Sequence, residues 1–396
     1  MKKNFFFAAL SVMALLALSS CGSGNSPDED TTKLWPAGDG SGKYGYIDQN
    51  GEMVLEARYA AASRFSAGYA LVKNLSGSPV FINKKGAEKS GDMFTEIVGA
   101  AFYYNYASAR NGGKYGLMNK KLKYAVSPKY AAMSVMTADG LIAASSDGVK
   151  WGYINRSGEQ IIEEKYAAAY DFVDGLAVIQ KENGKYGCID LSGQERIVAN
   201  YEYLQTIGQD CIIFLSDDKF GILDVSGIIK VPAEYDVIAS AQRWTEGWLP
   251  AMKDGKWGYI DQNGKTKIDF TYDGASMFSE GYAIIETDGL FSCIDVKGNI
   301  KFNMKRDEYP LSISDASSNA VFFRGFHNGL IATQIWDEES SEVTCNYRDA
   351  LNHIVYSWKQ PISSLRAPET LSETSLTFEQ MISEPHNLFD PDAVAF

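Results

Sequence analysis

The chain has 396 residues, 45% of them hydrophobic, which is ample for a large core and by length alone would suggest about two or three domains. A formal charge of −13 argues against a nucleic-acid phosphate backbone as partner, since that would need a basic footprint. Tyr and Phe, with 23 and 20 copies, favour strands.

Residues 1–20 read as a signal and not as part of the fold. Lys2 and Lys3 give a positive start, and Phe5 to Leu18 is an apolar run too short for a comfortable membrane span. "LSSC" follows, with small residues just before Cys21. These three parts, in this order, resemble the lipobox of bacterial lipoprotein signal peptides. The resemblance implies cleavage before Cys21, lipidation of its thiol, and a lipid-anchored protein of the cell envelope. Gly22 stands where Asp would be the inner-membrane retention cue, so the outer membrane is expected, on its periplasmic or its surface face. Residues 21–33 form a flexible polar tether. Beyond it no apolar run reaches the roughly 18 residues that a second span would need.

Residues 34–300 repeat one phrase eight times: "KYGYIDQNG" at 43, "SPVFINKKG" at 78, "KYGLMNKKL" at 114, "KWGYINRSG" at 150, "KYGCIDLSG" at 185, "KFGILDVSG" at 219, "KWGYIDQNG" at 256 and "LFSCIDVKG" at 290. A spacing of 34–37 residues means a stacked or circular array of one supersecondary unit, and not two or three ordinary domains. The phrase opens as a half-buried strand. Gly at its second slot (Gly45, Gly116, Gly152, Gly187, Gly221, Gly258) weakens a strand unless something sits close above it, and an aromatic ring from a neighbouring strand is the expected occupant. Asp or Asn with Gly three residues later then closes a hairpin, and a further strand such as "EQIIEEKY" follows.

A second signature precedes the phrase, as in "FSAGYALV" at 65, "FVDGLAVI" at 172 and "FSEGYAII" at 278, and reads as a third strand. Between these strands Tyr59, Ala62 and Phe65 are spaced by three, as are Tyr166, Ala169 and Phe172. That period predicts either a 3₁₀-like turn or a bulged fourth strand. Residues 301–358 are a degenerate terminal repeat or cap, although "TCNYRDALNHIVYSW" has the look of a worn unit. Residues 359–396 are a polar Ser/Thr/Glu/Pro-rich tail.

The phrase and its "F-x-x-G-[LY]-A" partner resemble the WG repeat, also called KWG. The resemblance implies an all-β scaffold that mediates interactions and has no common catalytic residues. The expected fold is a tandem array of about eight antiparallel β-meander repeats closed into a β-propeller, because closure removes sheet edges. The alternative is an open β-solenoid.

Chemistry is scarce. His327, His353 and His386 lack metal-site spacing, and no nucleophile, zinc or phosphate-loop motif occurs. The repeated Asp48, Asp190, Asp224, Asp261 and Asp295 are explained together as turn residues. Besides Cys21 there are Cys188, Cys211, Cys293 and Cys345, which an exported protein could pair, although Cys188 and Cys293 fill a slot that is otherwise apolar. No cofactor or metal is expected. Rings outside the repeat slots are the candidate binding residues, and these are Tyr103 and Tyr104. The expectation is a lipid-anchored, non-catalytic envelope scaffold binding an unknown protein or glycan and no nucleic acid. The alternative is an envelope glycan lyase or hydrolase built on propeller loops.

Overall fold

Each copy of the phrase forms the third strand of a small antiparallel sheet. In the fourth sheet the order is Ala132–Met133, Leu141–Ser145, Trp151–Asn155 and Gln160–Tyr166, each strand paired with the next. The computed structural model describes residues 33–239, 247–310, 312–315, 320–323, 325–337 and 340–361. Among these the sheets form nine blades, at 35–59, 61–89, 96–130, 132–166, 168–201, 204–235, 237–272, 274–303 and 308–361. The first has three described strands, and the ninth carries an inserted hairpin, Ser312–Asp315 with Ala320–Phe323.

The glycine of the phrase has a different neighbour from the expected ring. In all six copies that carry it, the fourth strand skips register above it: Trp151 faces Tyr166 while Tyr153 faces Ile162, and the same double bulge recurs from Tyr44↔Tyr59 to Tyr46↔Leu55. The bulge presses the strand's backbone onto the glycine. A Cβ on Gly152 would lie 2.4 Å from the Ile162 carbonyl oxygen, and one on Gly45 would lie 2.2 Å from that of Leu55. Only at Gly221 does a ring, Phe214, share the space with the backbone. Backbone can approach this closely because glycine presents no side chain.

The period-three segment is not a 3₁₀ turn; it holds a further strand, as the alternative expected, but one of two residues and without a bulge. Tyr59 ends one blade, Ala62 lies in a two-residue strand that opens the next, and Phe65 follows it; all three enter one apolar cluster. Tyr166, Ala169 and Phe172 do the same one repeat on. Each unit therefore hands its chain directly to the next blade through a shared core.

Those shared cores close the ring. Each apolar cluster among the described residues spans two consecutive blades, and the last joins Trp35, Ala37 and Ile47 of the first blade to Val343, Cys345, Tyr347 and Trp358 of the ninth. The Tyr347 hydroxyl donates to the Pro36 carbonyl at 3.0 Å, and that of Tyr356 to the Gly38 carbonyl at 3.1 Å. An open solenoid would leave these end faces apart, so the fold is an all-β propeller. Its nine blades exceed the expected eight because the ninth phrase is disguised. Asp349 accepts the amides of Leu351 and His353, and Asn352, at φ 69°, takes the left-handed place of the turn glycine.

In that ninth phrase Asn346 and Arg348 stand where other copies have Gly and an aliphatic residue. Both reach Glu308, which is fully buried: Arg348 Nη2 donates to one carboxylate oxygen at 2.6 Å and Nε to the other at 2.7 Å, and Thr333 also donates. Burial pushes the Glu308 carboxyl up, but the bonds from Arg348 and Thr333 outweigh it and leave the group below its ordinary value.

Two outcomes follow from this geometry. Gly152→Val should lose about 1–3 kcal/mol or more, since the obstructing atoms are backbone and cannot rotate away. Lys265→Ala, on an exposed turn, should leave the melting temperature nearly unchanged, and equal melting temperatures for the two would contradict the crowding. Glu308→Ala should cost about 3–5 kcal/mol in urea titration by stranding Arg348, while Glu308→Leu with Arg348→Ile should recover most of that. A depressed carboxyl stabilises above its unfolded value, so the stability of wild type relative to the double variant should fall as pH falls into the acid range.

Candidate functional site

In the second, fifth, eighth and ninth blades the segment joining the first and second strands forms the inner rim. It carries the F-x-x-G signature, which folds as a two-residue turn with both residues left-handed: Ala67 and Gly68 at φ 54° and 88°, Asp174 and Gly175 at 53° and 81°, Glu280 and Gly281 at 54° and 82°. Neighbouring tips are tied together. Ser66 Oγ donates to the Phe102 carbonyl at 3.0 Å, the Gly175 amide donates to Asp139 at 3.3 Å, and the Gly329 amide to Glu280 at 2.7 Å. The Trp35 indole closes this belt across the seam by donating to the His327 carbonyl at 3.1 Å.

The repeated polar groups are occupied by this construction. Tyr46, Tyr153 and Tyr259 each donate a hydroxyl to the carbonyl seventeen residues on, at Ser63, Tyr170 and Ser276. Each ring also packs on the following aromatic, Phe65, Phe172 or Phe278, with centroids 4.8–5.0 Å apart. In three units the phrase Lys pairs with a carboxylate just past the fourth strand, Lys185 with Glu202, Lys219 with Asp236 and Lys256 with Asp273, while Lys150 pairs with Glu182 of the next blade. Every phrase Asp or Asn accepts two amides of its own turn, as Asp261 does from Asn263 and Lys265.

What varies is the residue before the rim aromatic: Arg64, Ala101, Asp171 and Met277 in the second, third, fifth and eighth blades. Arg64 lies within electrostatic reach of the Glu280 carboxylate and of Tyr347, from the eighth and ninth blades. Blades that are not neighbours meet only toward the ring axis, so Arg64 faces the centre, as does Asp171, whose charge acts on Tyr103 two blades away, whereas Ala101 lies in the core between the third and fourth blades. Arg64 and Asp171 are half-buried, open on one side yet enclosed by surrounding blades. Burial raises the Asp171 carboxyl from 3.8 to about 6, with the Ser134 hydroxyl pulling the other way, and its Oδ1 is buried without a hydrogen-bond partner. Burial, aided by the charge of Arg64, lowers His327 to about 3 and keeps its imidazole neutral.

The residues singled out in the sequence fall elsewhere. Tyr103 does not stand on an exposed loop: it is 1% exposed in the core between the third and fourth blades, beside Leu117 and Met133, so its ring is not available for stacking. It occupies the x slot of F-x-x-G, which faces the core because the turn begins only at Tyr104. Tyr104, at φ 49°, is half-buried at the turn tip and packs against the same core. Cys188, Cys211, Cys293 and Cys345 are buried free thiols. Cys21, the signal, the tether and the end of the tail lie outside the described residues. Among the described residues no group of three or more His, Cys, Asp or Glu could hold a metal ion, and no helix is long and apolar enough to cross a membrane. The rim position was visible in "RFSAG" and "DFVDG" as an irregular letter beside a regular one, but only ring closure makes it face other blades.

The raised Asp171 carboxyl makes stability pH-dependent with a definite sign. Below 3.8 the group is protonated in both folded and unfolded chains and contributes nothing. Between 3.8 and about 6 only the unfolded chain ionises, so stability falls as pH rises. Asp171→Asn should remove that loss: the urea midpoint of the variant minus that of wild type should grow from pH 4 to pH 6, and a constant difference would contradict the enclosure.

A family profile described as "WG containing repeat" matches residues 44–75, 151–186, 220–257 and 257–291. No curated protein matches the chain in sequence. Among solved structures it is similar to the computationally designed Ika8 protein, at 12% identity over 71% of this chain and 95% of that one, with a TM-score of 0.43. It is also similar to apo AztD from Citrobacter koseri (12% identity, 76% and 96% covered, TM-score 0.32) and to BamB from Moraxella catarrhalis (12%, 81% and 92%, 0.31). The described residues form a nine-bladed β-propeller, and four stretches of the chain, each running from the phrase of one blade into the next, match the WG-containing repeat.

Proposed function

We propose that this propeller is a lipid-anchored, non-catalytic scaffold of the cell envelope that binds a protein or glycan through its inner rim. One observation carries the reading: the polar groups shared by the repeats are engaged in turns, ion pairs and carbonyl contacts, whereas the position before the rim aromatic changes identity from blade to blade. Recognition needs residues that the fold leaves unassigned, and that position provides them. The lipobox-like "LSSC" and the tether that follows support an anchor at Cys21 that holds the ring clear of the membrane. The acidic surface suits a soluble body beside the membrane.

The competing reading is a glycan-degrading enzyme, for which Asp, Glu, Arg and Tyr would converge on one site. Arg64, Glu280 and Tyr347 do approach one another, but both Glu280 oxygens accept amides of the ninth blade and the Tyr347 hydroxyl donates to Pro36. These groups are already serving the belt and the seam.

The test uses the full chain and a soluble form beginning at Gly22. Cys21→Ser should shift the protein from the membrane fraction to the soluble one or leave its precursor uncleaved, and an unlabelled, freely soluble wild type after feeding with a tagged fatty acid would end the anchor. Soluble protein should retain one specific envelope protein or glycan, and Tyr104→Asn with Asp171→Asn, which preserve the turn backbone and the enclosed shape, should weaken retention. Turnover of an envelope polysaccharide that Asp171→Asn abolishes would replace the scaffold with an enzyme.

A further inference from the structure

Arg64 is placed firmly by its backbone and loosely by its side chain. The Tyr46 hydroxyl donates to the carbonyl of Ser63 at 2.8 Å, and Ser63 Oγ donates to that of Arg64 at 3.0 Å, so the main chain is held from two sides. The guanidinium, by contrast, has no hydrogen bond or ion pair among the described residues, although it is half-buried and enclosed enough for burial to lower its basicity. The groups near it are otherwise engaged. Glu280 accepts the amides of Asn328 and Gly329, and Tyr347 donates to Pro36. The Glu280 carboxylate favours the cation without accepting its hydrogen bonds.

His327 sharpens this arrangement. The Asn328 amide nitrogen lies 3.2 Å from His327 Nε2, so Nε2 accepts and the proton of the neutral ring sits on Nδ1. That Nδ1 is buried and has no partner. A guanidinium and an imidazole N–H therefore stand near each other with donors to spare and no acceptor supplied. An enclosed cation without an acceptor is costly, and a planar guanidinium recovers most by taking an oxyanion on two parallel bonds. The fold does not require a cation here, because the equivalent position holds Ala101 and Met277 in other blades.

We propose that the inner rim beside Arg64 is an oxyanion site, binding a carboxylate or phosphate group of a ligand with the Arg64 guanidinium as principal donor. The inference rests on the inner rim being the binding surface and names the chemistry recognised there. Glu280 sets its selectivity: the nearby carboxylate repels multiply charged anions and favours a group carrying a single negative charge, which points to the carboxylate of an acidic sugar before a phosphate dianion.

The experiment titrates soluble wild type, Arg64→Met and Arg64→Lys with glucuronate, inorganic phosphate and, as neutral control, glucose, by calorimetry and by thermal shift. Wild type should bind glucuronate more tightly than phosphate and glucose not at all. Arg64→Met should weaken anion binding by about tenfold or more, as expected for loss of a charge-assisted pair, while its ligand-free melting temperature stays equal to or above that of wild type. Arg64→Lys should fall between, keeping the charge and losing the fork. Preference for phosphate would keep the site and reverse its source. The proposal is overturned if wild type binds neither anion, if Arg64→Met binds as well as wild type, or if Arg64→Met lowers the ligand-free melting temperature, which would make the cation structural. Anion binding by a protein that retains no envelope component would count against the scaffold alone, whereas an envelope partner retained equally by Arg64→Met would count against the anion site alone.

Discussion

The close approach of the fourth strand to the phrase glycine is the contact on which the repeat depends. With two extra residues looped over Gly152, the fourth strand of that blade keeps Ile162 opposite Tyr153 and still brings Tyr166 opposite Trp151. Tyr166 is thereby delivered to the core that the next blade builds with Ala169 and Phe172. Without the bulge the strand would end short of the neighbour. The three blades that lack the glycine also lack this crossing. The second has a fourth strand of only Glu88–Lys89, the eighth pairs Ser292 with Asn303 and Cys293 with Phe302 without a skip there, and the ninth pairs Asn346 directly with Ser357. A side chain is admitted at that slot wherever the backbone above it stays in register.

Closure follows from applying the same contacts to the two ends of the chain. The turn glycine of one blade rests on an aliphatic residue of the preceding fourth strand, as Gly158 does on Val126 and Gly193 on Ile162. At the seam Gly51 of the first blade also approaches the ninth blade's last strand at Val355, there lying over the backbone carbonyl with Cγ1 beside it. Gly38 is pressed against the Trp358 indole, where a Cβ would lie 2.4 Å from Nε1. A repeat array gains stability from each interface between neighbours, and a ring gives every blade two of them. The buried Glu308–Arg348 pair makes the seam blade unlike the others. Its desolvation is a stability cost relative to an aliphatic pair, and such pairs serve specificity of arrangement when they serve anything.

How far the amino-acid pattern could be read depended on whether a residue was explained within its own unit. The Asp–Gly turns, the strand of the phrase and the F-x-x-G hairpin are local, and their positions and residue types were legible for that reason. The occupant above the glycine was misread as a ring because a bulge in a partner strand leaves no letter of its own. Tyr59, Ala62 and Phe65 gave a puzzling period of three because they belong to two blades, not to one turn. The ninth blade looked worn because its Gly and aliphatic slots had become Asn346 and Arg348 around Glu308, a partner about forty residues earlier. Tyr103 looked available because "FYYNY" does not say where its turn begins, and φ at Tyr104 does.

The inner rim brings these threads together. A position that must fill a core or close a turn in every repeat has little freedom to recognise anything, and in this chain the shared Tyr, Lys, Asp and Asn are bound to such duties. The residue before the rim aromatic is less constrained: Ala101 joins the core of the third and fourth blades and Met277 packs against that of the sixth and seventh, whereas Arg64 and Asp171 are charged. Arg64 and Asp171 occupy it in enclosed surroundings that oppose their ionisation. Neither charge is required by the blade that carries it, because Ala101 and Met277 serve in equivalent places. Charged groups placed where burial opposes their ionisation lower the stability of the ring relative to apolar residues at the same places.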